Sequence, residues 1–157
     1  MGRIFGILGF LILLISLAGA DALADYVKVR NRYHITQAVG VETLETLVGT
    51  RIIEIQGRVK GTMSTQAGHV LMLERTDGDY VLVESGHIPD WLQGNDVPAR
   101  LVVRASRPLG SGELSAQLLA AATEYQVAPI DAANLRKAAS VRKTPASRGG
   151  ATRIRRS

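Results

Sequence analysis

The chain has 157 residues and a formal net charge of +5, enough for one modest domain with appendages and too little for a large multidomain enzyme. Hydrophobic residues make up 46% and charged residues 21%, ordinary values for a globular chain. Cysteine is absent, which excludes disulfides, thiol catalysis, thiolate metal sites and iron–sulfur clusters, so stability must come from an ordinary core.

Met1-Gly2-Arg3 leads into an apolar run from Ile4 to Leu17, then into the small-residue steps Ala18-Gly19-Ala20 and Ala22-Leu23-Ala24. One positive charge, an apolar stretch and small-x-small steps are the three parts of a secretory signal. The run falls short of the ~20 apolar residues that span a bilayer, which favours cleavage, after Ala20 or Ala24, over anchoring. Residues 1–24 are therefore read as a signal peptide, or an anchor if uncleaved, and the protein as extracytoplasmic, periplasmic or secreted. Export removes the usual supply of ATP and nicotinamide cofactors, and the chain has no Gly-x-x-x-x-Gly-Lys loop. No cofactor is expected.

Residues 25–49 read as an N-terminal extension in which Val41, Leu44, Leu47 and Val48 have the spacing of a short helix ended by Gly49. An all-β pattern follows over residues 50–130. Ile53, Ile55, Gly57 and Val59 alternate with Glu54, Gln56, Arg58 and Lys60, a period of two that predicts one buried and one wet face. Gly57 and Gly61 are where so long a strand could bend. Apolar runs at Val70–Leu73 and Tyr80–Val83 flank Thr76-Asp77-Gly78-Asp79, whose Asp-Gly step signals a hairpin.

Pro89-Asp90-Trp91-Leu92-Gln93 before Gly94 predicts a short helix, with Pro able to open it and Gly to close it; Trp91 beside Leu92 suits a plug for a barrel end. The fourth strand, Val97 to Ala105, sets Ala99, Leu101 and Val103 against Arg100 and Arg104. Gly110-Ser111-Gly112 turns the chain into a fifth strand from Leu114 to about Val127, and a helix from Asp131, acting as N-cap, to Ala139 follows. Three strands, a short helix and two more strands give the order of a five-stranded OB barrel, a Greek-key all-β fold.

Charge is unevenly placed. Residues 25–131 hold ten bases and thirteen acids, whereas beyond Asp131 come eight bases and no acid. Residues 131–157 are thus a short helix and a basic tail, in which Arg142, Lys143, Arg148, Arg153, Arg155 and Arg156 are candidates for electrostatic attraction to an anionic lipid surface, cell-wall polymer or nucleic acid. The stretch from Lys143 to Ser157 has almost nothing apolar to bury and is expected to be disordered.

At Ser85-Gly-His-Ile-Pro-Asp-Trp-Leu-Gln-Gly94 and at Glu124-Tyr125 the chain resembles the periplasmic haem chaperones of cytochrome c maturation, signal-anchored OB-fold proteins. The resemblance covers roughly residues 50–137 and implies the same barrel and compartment. Members attach haem through a His four residues before a Tyr; Tyr125 matches that Tyr, but Ala121 stands in the place of the His. The resemblance therefore counts against haem carriage.

His34, His69 and His87 lie far apart and show no metal-ligand spacing, so no metal is expected. No Gly-x-Ser-x-Gly elbow is present, and Asp77, Asp79 and Asp90 are explained by turns rather than by paired-carboxylate hydrolysis. A non-enzymatic binding role is expected. OB barrels use the outer face of their second and third strands for oligonucleotides or oligosaccharides, which builds that face near His69, Arg75, Tyr80 and Leu82, with Arg100 and Arg104 nearby, and nominates His69, Arg75, Tyr80, Arg100 and Arg104 as ligand-binding residues. The leading expectation is a module for a linear anionic polymer, a glycan or single-stranded nucleic acid. The alternative is a protein–protein adaptor in a bacterial envelope complex.

Overall fold

The structure, a computed structural model, describes residues 21–110 and 112–142, the side chains of 138–142 excepted. The apolar run Ile4–Leu17 and the tail candidates Lys143, Arg148, Arg153, Arg155 and Arg156 lie outside the described residues, as does the side chain of Arg142. The chain divides into two units, Met1–Val127 and Ala128–Ser157.

The first unit opens with helix α1 over residues 21–32. Strand β1 (Val39–Gly40), a single 3-10 turn (Val41–Leu44), β2 (Gly49–Thr65), β3 (Gly68–Glu74) and β4 (Tyr80–Ser85) follow. A second 3-10 turn (Asp90–Leu92) leads to β5 (Val97–Arg107), β6 (Ser115–Thr123) and helix α2 (Glu124–Arg142), which crosses the unit boundary. Within the second unit the described residues are helical, and Leu135 is exposed. No helix among the described residues is long and apolar enough to cross a membrane.

Strand pairing closes on itself. β2 pairs with β3, β3 with β4, β4 in parallel with β6, β6 with β5, and β5 back with β2. That is the connectivity of the five-stranded OB barrel. The seam between β4 and β6 is held at one register pair, Glu84 with Gln117. The sheet has six strands rather than the five expected, because β1 adds a two-residue parallel rung at Ile55 and Gln56.

The length of β2 is what allows closure. Its stretch from Gly49 to Val59 pairs with β5, and from Val59 to Thr65 it pairs with β3, with a bulge between Val59 and Gly61 where the strand changes partner. Gly57 serves a close approach: a Cβ there would lie 2.8 Å from Cγ2 of Val41, in the 3-10 turn that leans on the barrel.

The barrel interior is filled by Ile55, Val59, Leu71, Leu73, Val83, Leu101 and Val103, all without solvent exposure, with Leu44 and Leu92 closing it from the two 3-10 turns. Trp91 packs half-buried against this core, as expected of a plug. A second, smaller cluster lies outside the barrel, where α1 brings Tyr26 onto Val102, Ala122 and Val127, with Leu23 and Ile35 against them.

Four sequence expectations are corrected. The short helix before Gly94 is only the 3-10 turn Asp90–Leu92, because Gly94 and the left-handed Asp96 (φ 62°) redirect the backbone at once. The helix expected over 41–48 stops at Leu44; Leu47 is still buried, so its apolar spacing serves a packed loop. The last strand ends at Thr123 rather than Val127, and Asp131 lies inside α2 instead of capping it. The reason is a capping box: the Gln126 amide donates to Oγ1 of Thr123 at 3.2 Å, and the Thr123 amide donates to Oε1 of Gln126 at 3.2 Å.

Candidate functional site

Alternation along the central strands sorts residues to two sides. Leu71 and Leu73 of β3 and Val81 and Val83 of β4 point into the barrel, which leaves Val70, Met72 and Glu74, and Tyr80, Leu82 and Glu84, on the outer face. Antiparallel register places Met72 beside Leu82, Glu74 beside Tyr80 and Val70 beside Glu84. β2 extends the face by setting Met63 opposite Val70 and Gly61 opposite Met72. Gly61 makes room for that methionine, since a Cβ would stand 2.9 Å from its Cε.

The result is an apolar strip of Met63, Val70, Met72, Leu82 and Tyr80, in which Met63 is 44%, Leu82 51% and Tyr80 52% exposed. Its borders carry charge that is already paired. Lys60 Nζ lies 3.0 Å from carboxylate oxygens of both Glu74 and Asp96, and Arg58 reaches Asp96 at 2.8 Å. The hydrogen bond from Lys60 holds the Asp96 carboxyl below its usual range, and the same bond raises the Lys60 ammonium.

The five nominated residues do not share this face. Tyr80 stands on it. His69 belongs to the inward set of β3, at the barrel rim, with Nδ1 3.3 Å from Oγ of Ser64. Arg75 lies just past β3 and ties down the β3–β4 turn through Asp77 and Glu45. Arg100 and Arg104 are on β5, which is separated from β3 by β2 and lies around the barrel from Tyr80. Arg104 is exposed there beside Ile52 and Gln117. Arg100 is bound at 3.2 Å to the buried carboxylate of Glu54.

Glu54 is the centre of a cluster that sequence reasoning missed. Its side chain is fully buried, Arg30 of α1 lies 2.9 Å away, and the Tyr26 hydroxyl donates to its Oε1. Burial foremost, and Glu54 next, push the Tyr26 phenol well above its ordinary range. The alternation that placed Glu54 on the wet face of β2 was right about direction. What could not be read from it was that α1 covers that face.

The cations of the barrel are thus largely committed: Arg30 and Arg100 to Glu54, Arg58 and Lys60 to Asp96 and Glu74, Arg75 to Asp77 and Glu45, and Arg107 to the Leu44 carbonyl at 3.3 Å. Among the described residues no group of three or more His, Asp or Glu side chains is placed to hold a metal ion.

No family model matches the chain, and no curated protein does. Among solved structures it is similar to a candidate aspartyl-tRNA synthetase from Leishmania major Friedlin, with a TM-score of 0.41 and 13% identity over 55% of this chain and 20% of that one. It therefore spans only a fifth of that protein's length. It is also similar to a chain of the Stn1-Ten1 complex of S. pombe, with a TM-score of 0.41 and 17% identity over 67% of this chain and 89% of that one. The telomere capping protein Ten1 of Schizosaccharomyces pombe gives a TM-score of 0.40 and 17% identity, over 67% of this chain and 94% of that one. Of the two positions compared with the haem chaperones, Ala121 is buried in β6, and Tyr125, in the first turn of α2, is 88% exposed. The order of the strands around the closed barrel identifies the fold as an OB barrel.

Proposed function

We propose that this chain is a non-enzymatic OB-fold binding module, working outside the cytoplasm, whose outer β2–β3–β4 face docks a partner protein. The observation that carries this reading is the exposed apolar strip of Met63, Leu82 and Tyr80, underlaid by Val70 and Met72. Contiguous exposed apolar surface of this kind marks interaction sites. Of the two sequence-level readings, it favours the adaptor over the polymer module. Grip on single-stranded nucleic acid calls for a positive groove with stacked aromatics. This face has one aromatic, Tyr80, carries Glu74 and Glu84, and is bordered by Lys60 and Arg58, which face Asp96 and Glu74. The fitting partner presents apolar side chains flanked by lysine or arginine, complementary to Glu84. The basic residues from Lys143 to Arg156 add unspecific attraction to anionic surfaces, an envelope membrane included.

The test is site-specific photo-crosslinking in cells at positions 63, 82 and 104. A single protein captured from positions 63 and 82 but not from 104, and lost in a Tyr80→Ser/Leu82→Ser variant, supports the reading. Equal capture from all three positions, or binding of a single-stranded oligonucleotide that the same double variant abolishes, overturns it.

A further inference from the structure

A cleft of about 1000 Å³ opens between α1, the β4–β5 connection and β6, where the single pair Glu84–Gln117 leaves the β4–β6 seam. It lies outside the apolar strip, so it does not depend on the docking face. Leu118 and Ala121 contribute apolar surface, Trp91 lines it, and carboxylates come from Asp25 on α1 and Asp90 on the 3-10 turn. Among the described residues that line it, none is lysine or arginine.

A concave, mostly apolar site with a few polar groups is the usual form of a small-molecule pocket, and the volume is at the upper end of the ~300–1000 Å³ such pockets span. Two carboxylates, with one lining histidine (His87) and no lining lysine or arginine, set a negative local potential that repels anions and attracts cations. Trp is also the best of the aromatic faces for a cation, within roughly 6 Å of the ring centre. We propose that this cleft binds an organic cation, an amine or quaternary ammonium head carrying an apolar body. The head is recognised by Asp25, Asp90 and Trp91, and the body packs against Leu118 and Ala121.

Trp91 is the only tryptophan of the chain, so its fluorescence reports on the cleft without labelling. The full chain is titrated with benzyltrimethylammonium and, in parallel, with phenylacetate, a similar body of opposite charge. Free N-acetyltryptophanamide corrects for collisional quenching. The expected result is a saturable change with the cation alone, and an affinity weakened about tenfold or more, or roughly 1.4 kcal/mol, in Asp25→Asn/Asp90→Asn. The single variant Asp90→Asn, at an exposed position, gives the same reading should the double variant fold poorly. Quenching no different from the free indole, an equal response to phenylacetate, or unchanged affinity in the carboxamide variants overturns the proposal.

Discussion

The guanidinium of Arg30 lies 2.9 Å from the carboxylate of Glu54, with 4% and 0% of the two side chains exposed. One residue sits on α1 and the other on β2, so this contact fastens the helix to the barrel. Arg100 on β5 and the Tyr26 hydroxyl on α1 complete the set around the same carboxylate. Removing the shared acid takes a carboxylate away from the buried guanidinium of Arg30 and the part-buried one of Arg100, and deleting one partner of a buried pair costs about 3–5 kcal/mol. Glu54→Ala should therefore lower unfolding free energy in urea by that amount, whereas replacing all three charged residues by Leu and Met should recover most of the loss. A drop of under about 1 kcal/mol for Glu54→Ala would show that α1 is held by its apolar contacts alone.

Tyr26 makes stability sensitive to alkali. Its phenol holds its proton in the folded protein well beyond the unperturbed value of 10.0, because burial and the neighbouring Glu54 both oppose the phenolate. A group whose folded pKa is raised contributes its full stabilisation below the unfolded pKa and loses it as pH climbs above that value. Unfolding free energy should thus be flat through neutrality and fall above about pH 10. Tyr26→Phe should flatten that fall and lower stability at pH 7 by about 1.5–3 kcal/mol, the range for a hydrogen bond to a charged group. Chemical denaturation at pH 7 and pH 10.5 compares the two; equal alkaline slopes would refute the assignment.

The end of α1 offers a stabilising change. His34 adopts φ 53°, its amide donates to the Asn31 carbonyl, and the Ile35 amide donates to the Arg30 carbonyl, the paired bonds of a Schellman motif. A non-glycine residue in that left-handed position costs roughly 1–2 kcal/mol, partly offset by the extra freedom glycine brings to the unfolded chain. His34→Gly should raise stability by about 0.5–1 kcal/mol, seen as a higher melting temperature.

Gly57 offers the opposite case. A methyl group there would meet Cγ2 of Val41 at 2.8 Å and Cδ2 of Leu73 at 3.2 Å, both inside packed surroundings. Overpacking of this kind costs about 1–3 kcal/mol, so Gly57→Ala should be destabilising by that amount in calorimetry. Pairing it with Val41→Ala should return part of the loss, because the clash is with that side chain.

The barrel was legible because its signals are local. Alternation over Ile53–Val59 marked β2, and Asp77-Gly78 marked the β3–β4 turn, where Gly78 takes φ 88° and the Arg75 amide reaches the Asp79 carbonyl. The start of α2 was equally local, written as Thr123-x-x-Gln126, but the apolar residues up to Val127 suited a continuing strand just as well. The binding face was legible only as a pair of strands. Which side chains it collects depends on barrel closure, and closure carried Arg100 and Arg104 away from Tyr80. The role of Glu54 was hidden for the same reason, since nothing near it in sequence reveals the Arg30 and Tyr26 that α1 brings across.

Helix α1 also bears on how an exported form of the protein would be trimmed. Both small-residue steps, ending at Ala20 and Ala24, satisfy a signal peptidase equally well on composition. Severing after Ala24 would strip Leu23 from the cluster around Tyr26 and Ala22 from the wall of the cleft. Severing after Ala20 would leave residues 21–32 whole. Tertiary packing thereby separates two bonds that look alike as linear motifs: of the two breaks, only the one after Ala20 would keep the contacts that Ala22 and Leu23 make from α1.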